Sequence, residues 1–553
     1  METTAHILGL AKWDWIALGL YLLGITIIGV ATRTTIRSRE DFFMGGRRFG
    51  KILMIFHSFG AGTHTDQAVA VSGACYRNGM SGIWVQWQWM FTTPFYWLLA
   101  PVFRRSRCLT TADVYRDRYG VAASILFVLV SAASMTMNIG VMLQGTGRVI
   151  SPMTGGAISE TAAVWVMTLS FLIYGTAGGL VAAVVTDLIQ GVFIIVLSFL
   201  MVPFGLWAVG GLDGVRTHLS PGFLDLVSTQ NITVFVIAFL SFNSMVGIVA
   251  QSQVMATTSA GKTEWEGRVG MTYGNFLKRI CTLGWALVGV CAAVMYPDLA
   301  ASGHSERAFG FAVADLLPVG LRGIMLASIM AAAMSTCDAL MVATSGLITE
   351  NVYRNHLRPG RDEKHYVNTA RLISLVLVLI ALYFSSFFPT VLEGVFTFFQ
   401  ITASIGLSFW IGILWRRMNT TGVFASFFAS VITLYFAKNH LFPTSVYPTA
   451  QAIAYQTALF LPVGIFCGWL ASILTRPTDS TVVDRFFVKI HTPVGQEERL
   501  NLPLDEAIPR GDRLLNFGGL LILKPSRQSW VGFLVAWGIV LVLIWGTQWL
   551  LRL

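Results

Sequence analysis

Charge is scarce in this chain: Asp, Glu, Lys and Arg make up 12% of its 553 residues, about half the share of an ordinary soluble domain. Hydrophobic residues reach 55% and the mean hydropathy is +0.66, which excludes a soluble fold and implies a chain that crosses a bilayer many times. Paired cysteines are lacking too. Cys75, Cys108, Cys281, Cys291, Cys337 and Cys467 stand singly with no CxxC spacing, so neither a zinc site nor a disulfide framework is indicated. There is no HExxH, no paired-aspartate signature, and no nucleophile with its base in recognisable order. An enzyme is therefore not expected. The net charge of +10 does not point to nucleic acid, because the arginines and lysines lie in short segments between apolar runs, with no basic surface interleaved with aromatics. No obligate protein partner is evident. Glu2, Lys12 and Asp14 precede the first apolar run and a cationic stretch follows it, the order of a retained first helix and not of a cleaved signal peptide.

What is present is a series of fourteen apolar windows long enough to span a membrane: 14–31, 52–76, 83–103, 122–150, 161–176, 181–209, 233–255, 271–296, 321–349, 366–388, 392–415, 422–437, 452–474 and 530–551. Arg33, Arg37, Arg39, Arg47 and Arg48 follow the first. Arg104, Arg105, Arg107, Arg116 and Arg118 follow the third, Lys262 and Arg268 the seventh, Arg354, Arg358, Arg361 and Lys364 the ninth, and Arg416 and Arg417 the eleventh. Every cluster falls after an odd-numbered window. The positive-inside rule then predicts a multi-pass protein of the cell (plasma or inner) membrane with both termini extracytoplasmic. The longest piece outside the windows, 476–528, is expected to be a cytoplasmic tether, and its apolar stretch 517–523 is too short to cross. Residues 210–231, and 297–317 with 308–316 at amphipathic spacing, are read as a simple cover over the bundle, with short helices lying at the interface as the alternative.

One window is interrupted by polar residues. Ser58-Phe59-Gly60-Ala61-Gly62-Thr63-His64-Thr65-Asp66-Gln67 places two glycines and a carboxylate inside an apolar span, and a broken helix at membrane depth survives only where it is buried in protein or lines a wet cavity. A close glycine-permitted helix crossing is the alternative. In the ninth window, Ala331-Ala332-Ala333-Met334-Ser335-Thr336-Cys337-Asp338 sets the carbonyl of Ala332 beside the hydroxyls of Ser335 and Thr336, since a helical carbonyl points toward side chains at i+3 and i+4. With the carbonyls of Gly60 and Thr63 these make five oxygens, the donor type a hard cation prefers. Hydroxyls that bond only their own i−4 carbonyl are the structural alternative.

Four further stretches, Asp41-Phe42-Phe43-Met44-Gly45-Gly46-Arg47, Tyr115-Arg116-Asp117-Arg118-Tyr119-Gly120, Gly178-Gly179-Leu180 through Thr186-Asp187-Leu188-Ile189-Gln190, and Leu317-Pro318-Val319-Gly320-Leu321-Arg322-Gly323 leading into Met334-Ser335-Thr336, resemble the sodium:solute symporter family. They stand in the family's order and cover nearly the whole chain. The resemblance implies an all-α polytopic membrane protein with the inverted five-helix repeat shared with the bacterial leucine transporter. Residues 1–51 would hold one extra helix and its loop, 52–209 the first repeat, 233–415 the second, 416–475 two extra helices, 476–528 the tether and 529–553 the last helix, about fourteen in all. The first helix of each repeat is expected to be broken, at Gly60–Gly62 and at 242–247.

The resemblance also implies a function: sodium-coupled symport of a small polar organic solute, sugar-like by preference, by alternating access. An amino acid or carboxylate symporter, or a sensor or channel on the same fold, is the competing expectation. Family positions carry the sodium site onto the same Gly60, Thr63, Ala332, Ser335 and Thr336, and an ion-coupling carboxylate onto Asp187, a residue type costly at the bilayer centre. Some members recruit serines just past the Ser-Thr pair; Asp338 and Ala339 stand there, which leaves the number of sodium ions open. Gln67 and Lys278 match sugar-contacting positions, while Gln86 replaces a Glu and Gly247 an Asn. Asp66, Gln67, Gln86, Gln88 and Lys278 suit a hydroxylated or zwitterionic solute. His64, beside the break, is read as a hydrogen-bonded residue or as a titrating one. Trp84, Trp87 and Trp89 are read as packing or lipid contacts, with sugar stacking as the alternative.

Overall fold

A computed structural model describes residues 7–31, 39–299, 301 and 303–552. Glu2, Arg33 and Arg37 lie outside the described residues, as do the side chains at 39–41 and 173–179, so Arg39, Asp41, Gly178 and Gly179 enter no contact discussed below. Helix dominates because lipid leaves no other partner for backbone N–H and C=O groups.

The first helix, α1 (Lys12–Ala31), is followed by α2 (Lys51–Gly60) and α3 (Thr65–Asn78) in place of one expected span. Between them His64 turns extended, with φ −137° and ψ 163°. After a turn at 88–92, α4 (Thr93–Arg105) leads to α5 (Thr111–Tyr119), whose start is closed by a Thr110–Asp113 capping box. The long α6 (Val121–Met153) and α7 (Glu160–Phe199) come next, then α8 (Met201–Val209) and the short α9 (Gly211–His218). The turn expected between windows 161–176 and 181–209 is absent, because helical backbone runs through it.

The second broken span is α10 (Val234–Gly247), a tight turn through Ala250, and α11 (Ser252–Ser259), bent by 65°. Its pivot is Gln251, with φ −82° and ψ 95°, so the break lies beyond 242–247. Those six residues stay helical for a packing reason. A Cβ on Gly247 would stand 3.0 Å from Thr402 Oγ1 and 3.2 Å from the Ala403 N, and the glycine is thus spent on a close helix crossing.

The chain continues with α12 (Glu264–Met295), α13 (Ala308–Leu316), α14 (Leu321–Ile348), α15 (Glu363–Phe384), α16 (Val391–Leu414), α17 (Thr420–Phe436), α18 (Thr449–Leu474), α19 (Ser480–His491) and α20 (Arg527–Leu550). The two outer segments carry short helices, α9 and α13, the alternative reading for them. Among the described residues nine helices are long and apolar enough to cross a membrane, or ten with the bent pair α10–α11 counted as one. The four other expected spans are 14–31, 52–76, 83–103 and 161–176. Two of these are interrupted, at 61–64 and 88–92.

At the centre lies α14, 94% of whose apolar window is buried. Ala331, Ala332 and Ala333 are fully enclosed, small enough to let neighbours approach. Against α2 lies α12, where a Cβ on Gly274 would stand 2.6 Å from the Ile55 carbonyl oxygen. Two buried carboxylates close helix ends away from this centre. Asp14 Oδ1 accepts from Gly320 N at 2.7 Å and Gly323 N at 2.8 Å, capping α14 from α1. Glu306 accepts from Val391 N and Leu392 N, both at 3.0 Å, at the start of α16. Each supplies an acceptor to orphan first-turn donors at the positive end of a helix.

The segment 476–528 is ordered against one end of the bundle. Lys489 Nζ donates to Asp117 at 2.5 Å, Arg107 reaches Pro493 O at 3.0 Å, and Arg416 pairs with Asp484. Its residues Arg513–Phe517 (β1) and Leu520–Leu523 (β2) form an antiparallel hairpin, a form that the sequence reading did not anticipate. His491 is partly buried, and burial with the Arg105 guanidinium nearby pulls its pKa down from 6.5 to about 4. Between those values the unfolded chain takes up a proton that the folded one refuses, so stability falls as pH drops from about 6.5 to about 4 and is unaffected above. Substituting His491→Gln is expected to remove that part of the pH dependence, read from melting of the purified protein across this window.

Candidate ion and solute site

The break between α2 and α3 is held to α14 through Thr336 and Thr65, and α14 is tied to α7 through Ser335. Thr336 Oγ1 donates to the Gly60 carbonyl oxygen at 3.0 Å and lies 3.5 Å from that of Thr63. Thr65 Oγ1 donates to Ile329 O at 2.8 Å. Ser335 Oγ donates to Asp187 Oδ1 of α7. All of these groups are buried. The bare α-carbon of Gly60 makes the convergence possible: a Cβ there would stand 2.6 Å from Ser335 Oγ and 3.1 Å from Asp187 Oδ1. Gly60, Thr63, Ser335, Thr336 and Asp187 thus meet in one place with oxygen donors only. Ala332 is buried one turn before Thr336 on α14.

Sequence reasoning missed the partner of Asp187. His57, on α2, donates from Nδ1 to Asp187 Oδ2 at 2.6 Å, and both side chains are fully buried. Its signal was a position three residues before Gly60, on the same helix face.

Next to this cluster a cavity of about 70 Å³ opens, bordered by the break, by Gln251 and Gln253 at the α10–α11 bend, by Lys278 and Arg279 of α12, and by Phe398 and Phe399 of α16. Thr336 lines it as well. Of the five residues expected to suit a solute, Gln67 and Lys278 line the cavity; Asp66, Gln86 and Gln88 do not. Asp66 is turned to His64, whose Nδ1–H donates to it, and its backbone packs against α6, where a Cβ on Gly145 would stand 2.6 Å from the Asp66 Cα. Gln86 is wholly buried, with its carbonyl accepting from Arg279 at 2.9 Å. Gln88 is occupied too: it donates to Val85 O at 2.6 Å and accepts from Ser244 Oγ at 2.7 Å.

His64 is hydrogen-bonded on both sides. With Nδ1–H given to Asp66, its Nε2 accepts from Gln67 Nε2 at 2.7 Å, leaving Gln67 Oε1 without a partner. The three tryptophans divide: Trp84 donates to Leu226 O and Trp87 to Arg279 O, whereas Trp89 packs edge-on against Phe399 and borders the cavity. Arg279, Gln251 and Gln253 had not been singled out. Arg279 had a visible signal, a second consecutive cation inside an apolar window.

A family model described as the sodium:solute symporter family matches residues 42–429, which takes in both breaks, α12 and α14. The chain belongs to this family. It is therefore a transporter and not an enzyme, with sodium as its co-transported ion. The symporter is 23% identical over 474 residues to a sodium/glucose cotransporter of Vibrio parahaemolyticus, covering 78% of this chain and 86% of that one. It is 24% identical over 452 residues to the osmoregulated proline transporter OpuE of Bacillus subtilis (76% and 87% covered). To a sodium/pantothenate symporter of Haemophilus influenzae it is 25% identical over 431 residues (73% and 86%). Its fold is similar to that of a Na+-coupled sialic acid symporter in a substrate-bound outward-open state, with a TM-score of 0.72 at 17% identity, covering 85% of this chain and 99% of that one.

Proposed function

We propose that this symporter imports a small polar organic solute across the cell membrane by alternating access, with sodium held by the carbonyls of Gly60, Thr63 and Ala332 and the hydroxyls of Ser335 and Thr336. The observation that carries the reading is the double position of Thr336. It bonds the broken helix at Gly60 and also lines the cavity. An ion that ties α14 to the break therefore sets the wall of the solute space, and occupancy of one site biases the other. Asp187, one bond beyond Ser335, holds the ion-coupling place. In this reading 52–209 and 233–415 are inverted repeats whose broken first helices face each other. Both termini lie outside, and 476–528 is a cytoplasmic tether under the bundle.

Sugar-like compounds are the class suggested by Gln67 and Lys278, both of which border the cavity. The test is a thermal-shift screen of sugars, amino acids, carboxylates and nucleosides on the purified protein, in sodium and in potassium. The expected result is a solute that raises the melting temperature in sodium alone. A solute that stabilises equally in both salts counts against ion coupling at this site.

A further inference from the structure

A second cavity, of about 390 Å³, lies where three spans end, between Arg105 at the close of α4, the first turns of α12 and the start of α20. Its lining carries three cations, Arg105, Lys262 and Arg268, against one carboxylate, Glu264. That carboxylate is fully engaged: Arg105 holds it from Nε at 3.0 Å and Nη2 at 2.9 Å, and Val494 N donates to it at 3.1 Å. The charged groups around the cavity cancel. Arg107 pairs with Glu497, Lys51 acts on Glu266, and His491 beside Arg105 is neutral above about pH 4. Lys262 is exposed to solvent. Arg268 is only 8% exposed; its guanidinium bonds the Ser529 hydroxyl at 3.2 Å and lies 5.8 Å over the Trp97 ring. Its Nε is buried without a hydrogen-bond partner. Glu264 reaches it only through space and is already matched by Arg105. A hydroxyl and a ring face do not repay the desolvation of a buried guanidinium that lacks a counter-ion.

The position of the cavity is an independent observation. It sits at the rim of the apolar windows 83–103, 271–296 and 530–551, with Trp265 on its lining and the half-exposed Trp530 in the first turn of α20, the aromatic placement of a bilayer interface. Both α12 and α20 begin here, so two positive helix ends add to the cations. The apolar window of α20 is only 17% buried, which leaves that helix open to lipid beside the cavity. In the reading above this end faces the cytoplasm, whose leaflet carries anionic lipid.

We propose that this cavity binds the phosphate of an anionic phospholipid headgroup, with Arg268 and Lys262 as its cationic contacts and the acyl chains left in the bilayer beside α20. A zwitterionic headgroup brings its own cation and leaves the charge of Arg268 unbalanced; an anionic one neutralises it. Arginine suits the task, because its planar fork matches phosphate oxygens. The site lies apart from the ion and solute cavity and depends on neither sodium nor solute.

The test is melting of the purified full-length protein in a nonionic detergent with phosphatidylglycerol, with phosphatidylcholine of the same acyl chains, and with inorganic phosphate alone. Each cation beside an anionic lipid contributes roughly fivefold in affinity. Phosphatidylglycerol is therefore expected to bind about tenfold or more tighter than phosphatidylcholine, and inorganic phosphate at the same concentration to leave the melting temperature unchanged. Equal stabilisation by the two lipids overturns the inference. So does an equal shift from inorganic phosphate and phosphatidylglycerol, which makes the site one for a soluble anion. Arg268→Gln is expected to remove most of the preference, and Lys262→Gln, at an exposed position, to cut it about fivefold. Arg485→Gln removes the same charge from the tether at a different cavity and is expected to leave the preference intact. A preference that survives both substitutions at this cavity, or that Arg485→Gln lowers equally, places the lipid contact on the basic surface at large and overturns the site. Lys262→Gln and the wild-type comparison decide the question even if Arg268→Gln fails to fold.

Discussion

Replacing Ser335 and Thr336 together by alanine is expected to abolish sodium-driven uptake while the protein still inserts and melts cooperatively. The hydroxyls of these two residues reach Asp187 and Gly60; the bond to the carbonyl contributes about 1 kcal/mol to folding and the one to the buried carboxylate about 1.5 to 3 kcal/mol. The bundle around them is held by much else, so stability should fall by about 3 to 4 kcal/mol in total. Function should fall further. Moving one sodium charge through about 100 mV supplies about 2.3 kcal/mol, which corresponds to roughly 50-fold accumulation of solute. Without the two hydroxyls that contribution is lost, and uptake in proteoliposomes should come to rest near equal concentrations on both sides. Uptake that keeps its sodium dependence in the double variant would place the ion elsewhere.

The first break was legible because glycine, threonine, histidine and aspartate interrupt an apolar window at 58–67, and polar groups at that depth need partners the bilayer does not supply. The second was expected at 242–247, ahead of the bend at Gln251. A glycine looks the same in sequence whether it permits a break or a close crossing, and only the nearness of Thr402 and Ala403 shows which. The cue that mattered was polar: Gln251 and Gln253 follow an apolar helix and border the cavity. Asp66 stands in contrast: it does not line the cavity. A carboxylate beside a break attracts attention, yet its closest partner is two residues away, at His64, and local bonding of that kind is invisible to spacing arguments. The hairpin at 513–523 had a signal in its Gly518-Gly519 pair, the turn type that joins two strands. As an apolar run, 517–523 says only that it is too short to cross a membrane.

His57 is the residue whose loss should expose how Asp187 is tolerated at all. The carboxylate is fully buried and accepts from His57 and from Ser335. Substituting His57→Leu leaves it with one neutral donor in a place water does not reach, and breaking a buried pair from one side costs about 3 to 5 kcal/mol. Asp187→Asn removes the charge itself and keeps an acceptor for His57, so it should cost less. In the double variant His57→Leu with Asp187→Asn no ion is left stranded, and its melting temperature should recover most of what His57→Leu alone loses. This is the sign of coupling a double-mutant cycle measures. His57→Gln, which restores an N–H donor, should fall between wild type and leucine. Additive losses across the cycle would mean that His57 fills space beside Asp187 and does not stabilise its charge. The cycle is read twice, by melting and by sodium dependence of uptake, because the two readouts separate a helix-to-helix tie from ion coupling. A pair that only ties α2 to α7 recovers melting and sodium dependence together in the double variant. Where Asp187 also couples to the ion, the double variant regains its melting temperature but not its sodium-driven uptake.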